Sequence, residues 1–467
     1  MLFTIDDITR ATGGTVHGGG CAGVTGVSTD SRTVAAGELF VALRGERFDG
    51  HDFVAAAAER GVAAFLVAAD WLASHELPAG SVCIAVADTL AALGDLAAYH
   101  RQRFAIPVVA VTGSNGKTTT KEMLAAILSV TGPGLKTAGN LNNLIGLPQM
   151  LFRLTSSHTW AVLEVGMSEP GEIDRLATIA RPQVGIITNA LPAHLESMES
   201  VENVARAKGE LFLRLPAAGT AVFNADDPLV ATLPVADGVA RLSFGLDQAD
   251  VTATSCSRRG KAGQTFLLHV GGETVAVELA AFGRHNIANA VAAAAAAHAL
   301  GISSAQIKEG LEQFRPVAKR FNLEELGDVT LIDDSYNANP ASMAAALITL
   351  GEVKEECRAA AVLGDMLEMG ERSAEAHRNV GRLAASLVER LYVMGEMATE
   401  VATGAVEGGL DAADICVMGS HREIVVDLCG WLEKGDCILV KGSRGMRMEA
   451  VAEGLRDALM TGKRTVA

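Results

Sequence analysis

Val108-Val109-Ala110-Val111-Thr112-Gly113-Ser114-Asn115-Gly116-Lys117-Thr118-Thr119-Thr120 reads as a strand, a glycine-bearing turn and the first turn of a helix. The helical pattern continues over residues 121–130. That order suits a phosphate. N–H groups of the turn and of the helix start converge on an anion, and the helix dipole favours negative charge there. Lys117 has the reach for outer phosphates, and the Thr118 hydroxyl suits Mg²⁺. The usual loop of this kind reads G-x-x-x-x-G-K-[ST]. Here only Ser114 and Asn115 separate Gly113 from Gly116, and Val111 occupies the place of the earlier glycine. The chain carries a short P-loop.

Downstream, apolar runs at 160–165, 184–188 and 220–224 alternate with helical patterns. Such alternation predicts βαβ units and a parallel sheet covered on both faces. Ligands on such sheets sit beyond the carboxyl ends of the strands, where Glu164, Asn189 and Asn224 fall. Strand-like runs recur at 329–333, 359–363, 390–393 and 437–440, which predicts another nucleotide-type α/β domain. Upstream of the P-loop, short apolar runs at 38–43 and 62–67 lie among Gly-rich turns, and a helical stretch at 90–101 leads into the P-loop strand. The expected division is a small N-terminal α/β domain over 1–85, a central P-loop parallel-sheet domain over 86–314 and a C-terminal Rossmann-like α/β domain over 315–467.

Bulk properties agree. A length of 467 residues calls for about two to four domains. Hydrophobic residues at 49% against 20% charged mark a globular chain. A formal net charge of −16 argues against non-specific nucleic-acid binding, while leaving room for anionic small substrates in a locally cationic cleft. The seven cysteines are scattered and never spaced C-x-x-C, so neither a disulfide framework nor a thiolate zinc site is expected, and a reducing cytoplasm fits. The acidic start, Met1 to Asp7, does not read as a signal peptide, and no window has the length of a membrane span. The Ala-rich stretch 288–300 reads as a buried helix. Gly18-Gly19-Gly20-Cys21-Ala22-Gly23 matches G-x-G-x-x-G, yet a β-like run follows it instead of a helix, so a loop is expected there.

Several side chains stand where chemistry is plausible. Glu164 ends a strand near the P-loop and suits Mg²⁺, which prefers hard oxygens; a structural ion pair is the competing reading. His194 lies just past another strand end, and by itself reads equally as a structural histidine. Lys208 sits on a helical stretch and, by spacing alone, reads as a solvated lysine. Phe282-Gly283-Arg284-His285-Asn286 opens the Ala-rich helix, where amides could read a base edge or cap the helix. Lys319-Arg320-Phe321, Asp333-Asp334-Ser335-Tyr336-Asn337-Ala338-Asn339-Pro340 and Val440-Lys441-Gly442-Ser443-Arg444 follow in the third segment.

Together these runs resemble, in order and over nearly the whole chain, the Mur ligases that build the peptidoglycan peptide. Gly139-Asn140-Leu141-Asn142-Asn143, Glu164-Val165-Gly166-Met167-Ser168, the 333–340 run and Gly364-Asp365-Met366-Leu367-Glu368-Met369-Gly370-Glu371 resemble the branch that joins D-Ala-D-Ala to UDP-N-acetylmuramoyl-tripeptide. The Asp-Asn/Asp-Pro-Arg signature of the preceding ligase is absent: Asp227-Pro228 is followed by Leu229.

The resemblance implies a division of labour. Gly113, Ser114, Asn115, Gly116, Lys117, Thr118 and Thr119 would hold ATP phosphates. Thr118 and Glu164 would hold one Mg²⁺; His194 and Lys208 would serve a second, with Lys208 carbamylated by CO₂ and so turned from a cation into an oxygen ligand. Asn286 would contact adenine, and Arg320 and Asp334 the ribose and phosphate side. Ser31, Arg32 and Arg44 would hold the uridine end, and Asn140, Asn142 and Asn143 the muramoyl peptide. Asn337, Lys441 and Ser443 would lie near the dipeptide. The implied reaction passes through an acyl phosphate and a tetrahedral intermediate, with the third domain closing on the second. A cytoplasmic monomer without membrane insertion is expected. The rivals are a UDP-muramoyl-dipeptide ligase, a folylpolyglutamate synthase (which starts almost directly at its P-loop domain) and a non-catalytic nucleotide-binding regulator.

Overall fold

A computed structural model describes residues 1–192 and 198–460. Three sheets organise three units. In the first, strands Gly26–Ser28, Glu38–Val41, Ala64–Ala68 and Val82–Val86 run parallel, and Thr15–Gly18 pairs antiparallel with Val82–Val86 at the edge. Ala64–Ala68 is buried along its full length, as a strand covered on both faces must be. The Gly18–Gly23 run leads into strand Gly23–Val24, and no helix opens there.

The second unit is built on six parallel strands, ordered Ala240–Phe244, Thr220–Asn224, Val184–Ile187, Val108–Thr112, Ala161–Glu164, Leu135–Lys136. Val108–Thr112 lies inside this sheet and is wholly buried. The chain after it passes first to one side and then, with Val184–Ile187, to the other. A crevice opens at such a reversal, above the strand ends. Helices Lys117–Ser129 and Arg284–Ala299 pack on one face, where Ala292 to Ala297 are fully buried. Small side chains there let two helices and the sheet approach closely. An antiparallel meander, Thr252–Arg258, Gln264–Val270 and Glu273–Leu279, covers the far side of that core.

In the third unit Val329–Asp334, Cys437–Lys441, Ala359–Gly364, Arg390–Met394 and Ile415–Val417 are parallel, and Asn322–Leu326 returns antiparallel at the edge. Helix Thr89–Arg101 joins the first two units: Leu93 and Leu96 belong to the first core, Ala97 to the second.

Candidate active site

The carboxyl ends of the second and third sheets face one cleft of about 560 Å³. The P-loop forms its floor. Gly113 has φ 149° and Gly116 has φ 82°; a Cβ on the first would stand 1.8 Å from Thr188 Oγ1, and one on the second 2.3 Å from Asn289 Oδ1 on helix Arg284–Ala299. Only glycine fits either place. Ser114 is anchored to Leu191, whose carbonyl accepts from its hydroxyl at 2.9 Å. Lys117 Nζ donates to Gly113 O at 2.7 Å. Desolvation in the cleft lowers its pKa; Glu164 opposes this and the Arg320 charge adds to it.

Thr118 Oγ1 donates to Glu164 Oε2 at 2.9 Å, while Asn142 Nδ2 donates to Glu164 Oε1 at 2.9 Å. The Glu164 N–H donates to Thr137 Oγ1 at 2.9 Å. Thus the metal-type pair Thr118–Glu164 and the Asn140–Asn143 loop are one network. Among the described residues no three His, Cys, Asp or Glu side chains cluster as a metal site. A Mg²⁺ here would take Thr118 and Glu164 oxygens and complete its shell from phosphates and water, which is how Mg²⁺ is commonly held. His194 lies outside the described residues.

Lys208 lies on helix Val201–Leu213, lines the cleft and is 3% exposed. Burial, then the charge of Lys117, push its pKa well below the ordinary lysine value. Its surroundings are those of a buried amine, not of the solvated lysine that spacing alone suggests. With Arg320 and Lys441, these lysines line a cleft whose carboxylates include Glu164, Asp334 and Glu172. A polyanion entering it would meet the side chains of Lys117 and Arg320 on an otherwise acidic protein.

The third unit supplies the other wall. Arg320 lies between Lys319 (φ 64°) and Phe321 (φ 49°), packs 3.9 Å from the Tyr336 ring centroid and points Nη2 at Thr118 Oγ1, 3.5 Å away. Lys441 Nζ donates to Asp334 Oδ2 at 2.6 Å and to Asn337 O at 3.0 Å. Asp334 and Lys441, assigned from the sequence to different substrates, are therefore a single ion pair. Asn337 Oδ1 accepts from the Arg444 N–H at 3.2 Å. Ser443 is 3% exposed; its hydroxyl accepts from Leu367 N–H at 2.9 Å and donates to Ala338 O at 3.3 Å, so it braces the wall from behind.

Asn286 borders the cleft with its amide engaged: Nδ2 donates to Phe282 O at 2.8 Å and Oδ1 accepts from Asn289 Nδ2 at 3.1 Å. His285 beside it was given no role by its sequence context. Burial lowers its pKa to about 4, with Asp334 opposing and Lys441 adding to the shift. Asn140, Asn142, Asn143 and Thr119 line the cleft as well. Ser31, Arg32 and Arg44 do not; Arg32 pairs with Asp30 at 2.8 Å and Arg44 with Asp70 at 2.9 Å on the first unit. Gln149 Nε2, on helix Gly146–Leu151 just after the Asn140–Asn143 loop, donates to Thr29 Oγ1 of that unit at 2.9 Å.

The comparisons with known proteins cover most of the chain. Residues 111–297 match the Mur ligase middle domain, 319–444 the "Mur ligase, glutamate ligase domain", and 23–101 the "Mur ligase family, catalytic domain". UDP-N-acetylmuramoyl-tripeptide–D-alanyl-D-alanine ligase of Escherichia coli (strain K12) is 39% identical, over 98% of this chain and 99% of that one. A crystal structure of MurF from Acinetobacter baumannii superposes with TM-score 0.89 at 35% identity, covering 97% of this chain and 99% of that one. MurF ligase of Thermotoga maritima, solved with ADP, gives 0.81 at 28% identity, covering 93% and 98%.

Proposed function

Because the chain belongs to the Mur ligase family, we infer that its cleft joins D-Ala-D-Ala to UDP-N-acetylmuramoyl-tripeptide at the expense of ATP, completing the pentapeptide precursor of peptidoglycan. The observation that carries this reading is the meeting of a complete short P-loop, the Thr118–Glu164 pair and a second-unit asparagine loop with cations of the third unit in one cleft.

A carboxylate is a poor electrophile, so amide formation in water needs activation. The γ-phosphoryl group moves to the tripeptide's terminal carboxylate, the dipeptide amine attacks the acyl phosphate, and phosphate leaves from a tetrahedral intermediate. Negative charge gathers at both steps, so the protein's work is positioning and electrostatic stabilisation. In this proposal the loop from Gly113 to Thr119 holds ATP phosphates, with Lys117 leaving Gly113 O for them. Thr118 and Glu164 hold Mg²⁺, which supplies charge neutralisation on the phosphates. Asn142 orients Glu164 while its loop, with Asn140 and Asn143, faces the muramoyl peptide. Arg320, Asp334 and Asn286 border the nucleotide; Asn337 and Lys441 border the dipeptide, with Ser443 behind them. Ser31, Arg32 and Arg44 take the uridine end, which lies across the Thr29–Gln149 bond from the Asn143 loop. Lys208, an amine whose charged form burial disfavours, is suited to carbamylation by CO₂ and then to a second Mg²⁺ together with His194.

No described helix is long and apolar enough to cross a membrane. The cytoplasmic placement and the monomeric state belong to the proposal.

The experiment is phosphate release from ATP with UDP-N-acetylmuramoyl-tripeptide, with and without D-Ala-D-Ala, and the product read by mass. Release requiring the dipeptide, with a UDP-pentapeptide formed, is expected. No release with these substrates, but turnover with a folate or another amino acid, would move the chain to another branch of the family.

A further inference from the structure

The third unit grips the P-loop through an amide pair. Asn339 Nδ2 donates to Asn115 Oδ1 at 2.7 Å, and Asn115 Nδ2 donates to Asn339 Oδ1 at 3.2 Å. These residues are 224 positions apart. Each has a stiff mount. The Asn115 N–H donates to Asn189 Oδ1 at 2.8 Å, and its carbonyl accepts from Thr188 Oγ1 at 2.6 Å and Asn189 Nδ2 at 3.1 Å. Asn339 is the N-cap of helix Pro340–Val353: its Oδ1 accepts from Ser342 N–H at 2.9 Å, and its own N–H donates to Ser342 Oγ at 3.0 Å. Buried Met343, Ala346, Leu347 and Leu350 fasten that helix to the third core.

Two stiff mounts joined by two short bonds tolerate little relative movement; a shift of about 1 Å takes both bonds out of range. The pair therefore forms in one orientation of the third unit and is lost in others. It is also uncharged, so it neither competes with Lys117 for phosphates nor repels them. Other contacts join the two units: Arg320 reaches Thr118 at 3.5 Å within the cleft, and away from it Lys261 Nζ pairs with Glu325 at 2.7 Å and donates to Thr330 Oγ1 at 2.8 Å, while Arg258 donates to the Glu352 carbonyl. Of these, the amide pair and Arg320 alone touch the P-loop segment.

We propose that Asn339 is a positioning residue: through Asn115 it locks the third unit onto the P-loop, so that phosphoryl transfer and amine attack occur in the same arrangement of the two units. This rests on the ligase reading above. Asn339 moves no proton and touches no reacting atom in this role; it acts through the side-chain amide of Asn115 on the phosphate loop. Together the two residues set the distance between the two walls.

Asn339→Ser tests it, because serine caps a helix about as well as asparagine but is too short to reach Asn115. Expected is a fall in kcat of about tenfold, the worth of one or two neutral hydrogen bonds, with the KM for ATP within about threefold of the unsubstituted value. The Asn115→Ala, Asn339→Ser double variant should be no slower than the slower single variant, because both remove the same contact. Small-angle scattering with an ATP analogue and UDP-tripeptide should show less compaction in Asn339→Ser. Unchanged kcat in Asn339→Ser, or single effects that multiply in the double variant, would overturn the proposal. Should Asn339→Ser melt early, Asn339→Asp replaces it, since it keeps the cap and loses the amide donor. The unsubstituted chain's substrate profile tests the ligase reading separately; if another acyl acceptor is used, the same variants are scored with that acceptor.

Discussion

Lys208 shows how a residue's surroundings set its chemistry. Nothing in Arg206-Ala207-Lys208-Gly209 separates a surface lysine from a buried one, and the helix could have turned it to solvent. The fold places it at 3% exposure facing Lys117. A buried amine with a lowered pKa reacts with CO₂ where a solvated ammonium does not. Lys208→Ala is expected to lose about 10²- to 10³-fold in turnover, a loss of the size seen when a major electrostatic group of an active site is removed. Partial recovery with added formate or acetate should follow, since either restores a carboxylate to the gap. Full activity without additive would remove the carbamate from the scheme. By contrast, Gly113 and Gly116 were legible as residues, because backbone conformation and close approach are demands that one residue type meets locally. Asp334 and Lys441 were legible as polar groups at strand ends, but their pairing was not, since 107 positions separate them.

Among the elements, long helices and buried strands announced themselves. The apolar runs at 108–111, 160–165, 184–188 and 220–224 became neighbouring parallel strands because a strand buried on both faces must be apolar throughout. Edge elements did not: Leu135–Lys136 is two residues long, and Ala240–Phe244 and the 252–279 meander went unread. The alternation of Val275, Val277 and Leu279 with Thr274, Ala276 and Glu278 was the available signal. At the N-terminus, helix Ile5–Thr12 carries a capping box, Thr4 with Asp7, and Asp7 Oδ1 also accepts from the Tyr99 hydroxyl at 2.7 Å on helix Thr89–Arg101. The Thr4 N–H bond first, and then Tyr99, hold the Asp7 carboxyl down to about 2. A pKa lower in the folded than in the unfolded chain stabilises above the ordinary aspartate range, and that stability is lost as the pH falls through about 2. Asp7→Asn should therefore lower the thermal midpoint at pH 7 by more than it does near pH 3. Melts at the two pH values check this, and an equal gap at both would refute it.

Across the described residues each unit's main sheet carries buried apolar clusters on both faces, and the cleft belongs to the second and third units. Nucleotide binding should stabilise those two units and leave the first largely as it was. A hundredfold excess over Kd contributes about 2.7 kcal/mol to whatever unfolds with the site. Differential scanning calorimetry with an ATP analogue should move the transitions of the second and third units upward, while the first keeps its own. Deletion of residues 1–85 would identify that first transition. Uniform movement of every transition would mean that the three units unfold as one.

Local order along the chain was sufficient for the class of fold and for the chemistry it supports. A strand, a short glycine turn and a helix bearing Lys117 and Thr118 are consecutive, so their geometry follows from adjacent residues. The family likeness added the reaction. Assembly in space supplied what adjacency cannot: Thr118 against Glu164, Lys441 against Asp334, Lys208 inside rather than outside, and Asn339 on the P-loop. Those contacts join residues tens to hundreds of positions apart, and each depends on how sheets and units pack, a property of the buried cores of all three units and not of any single stretch.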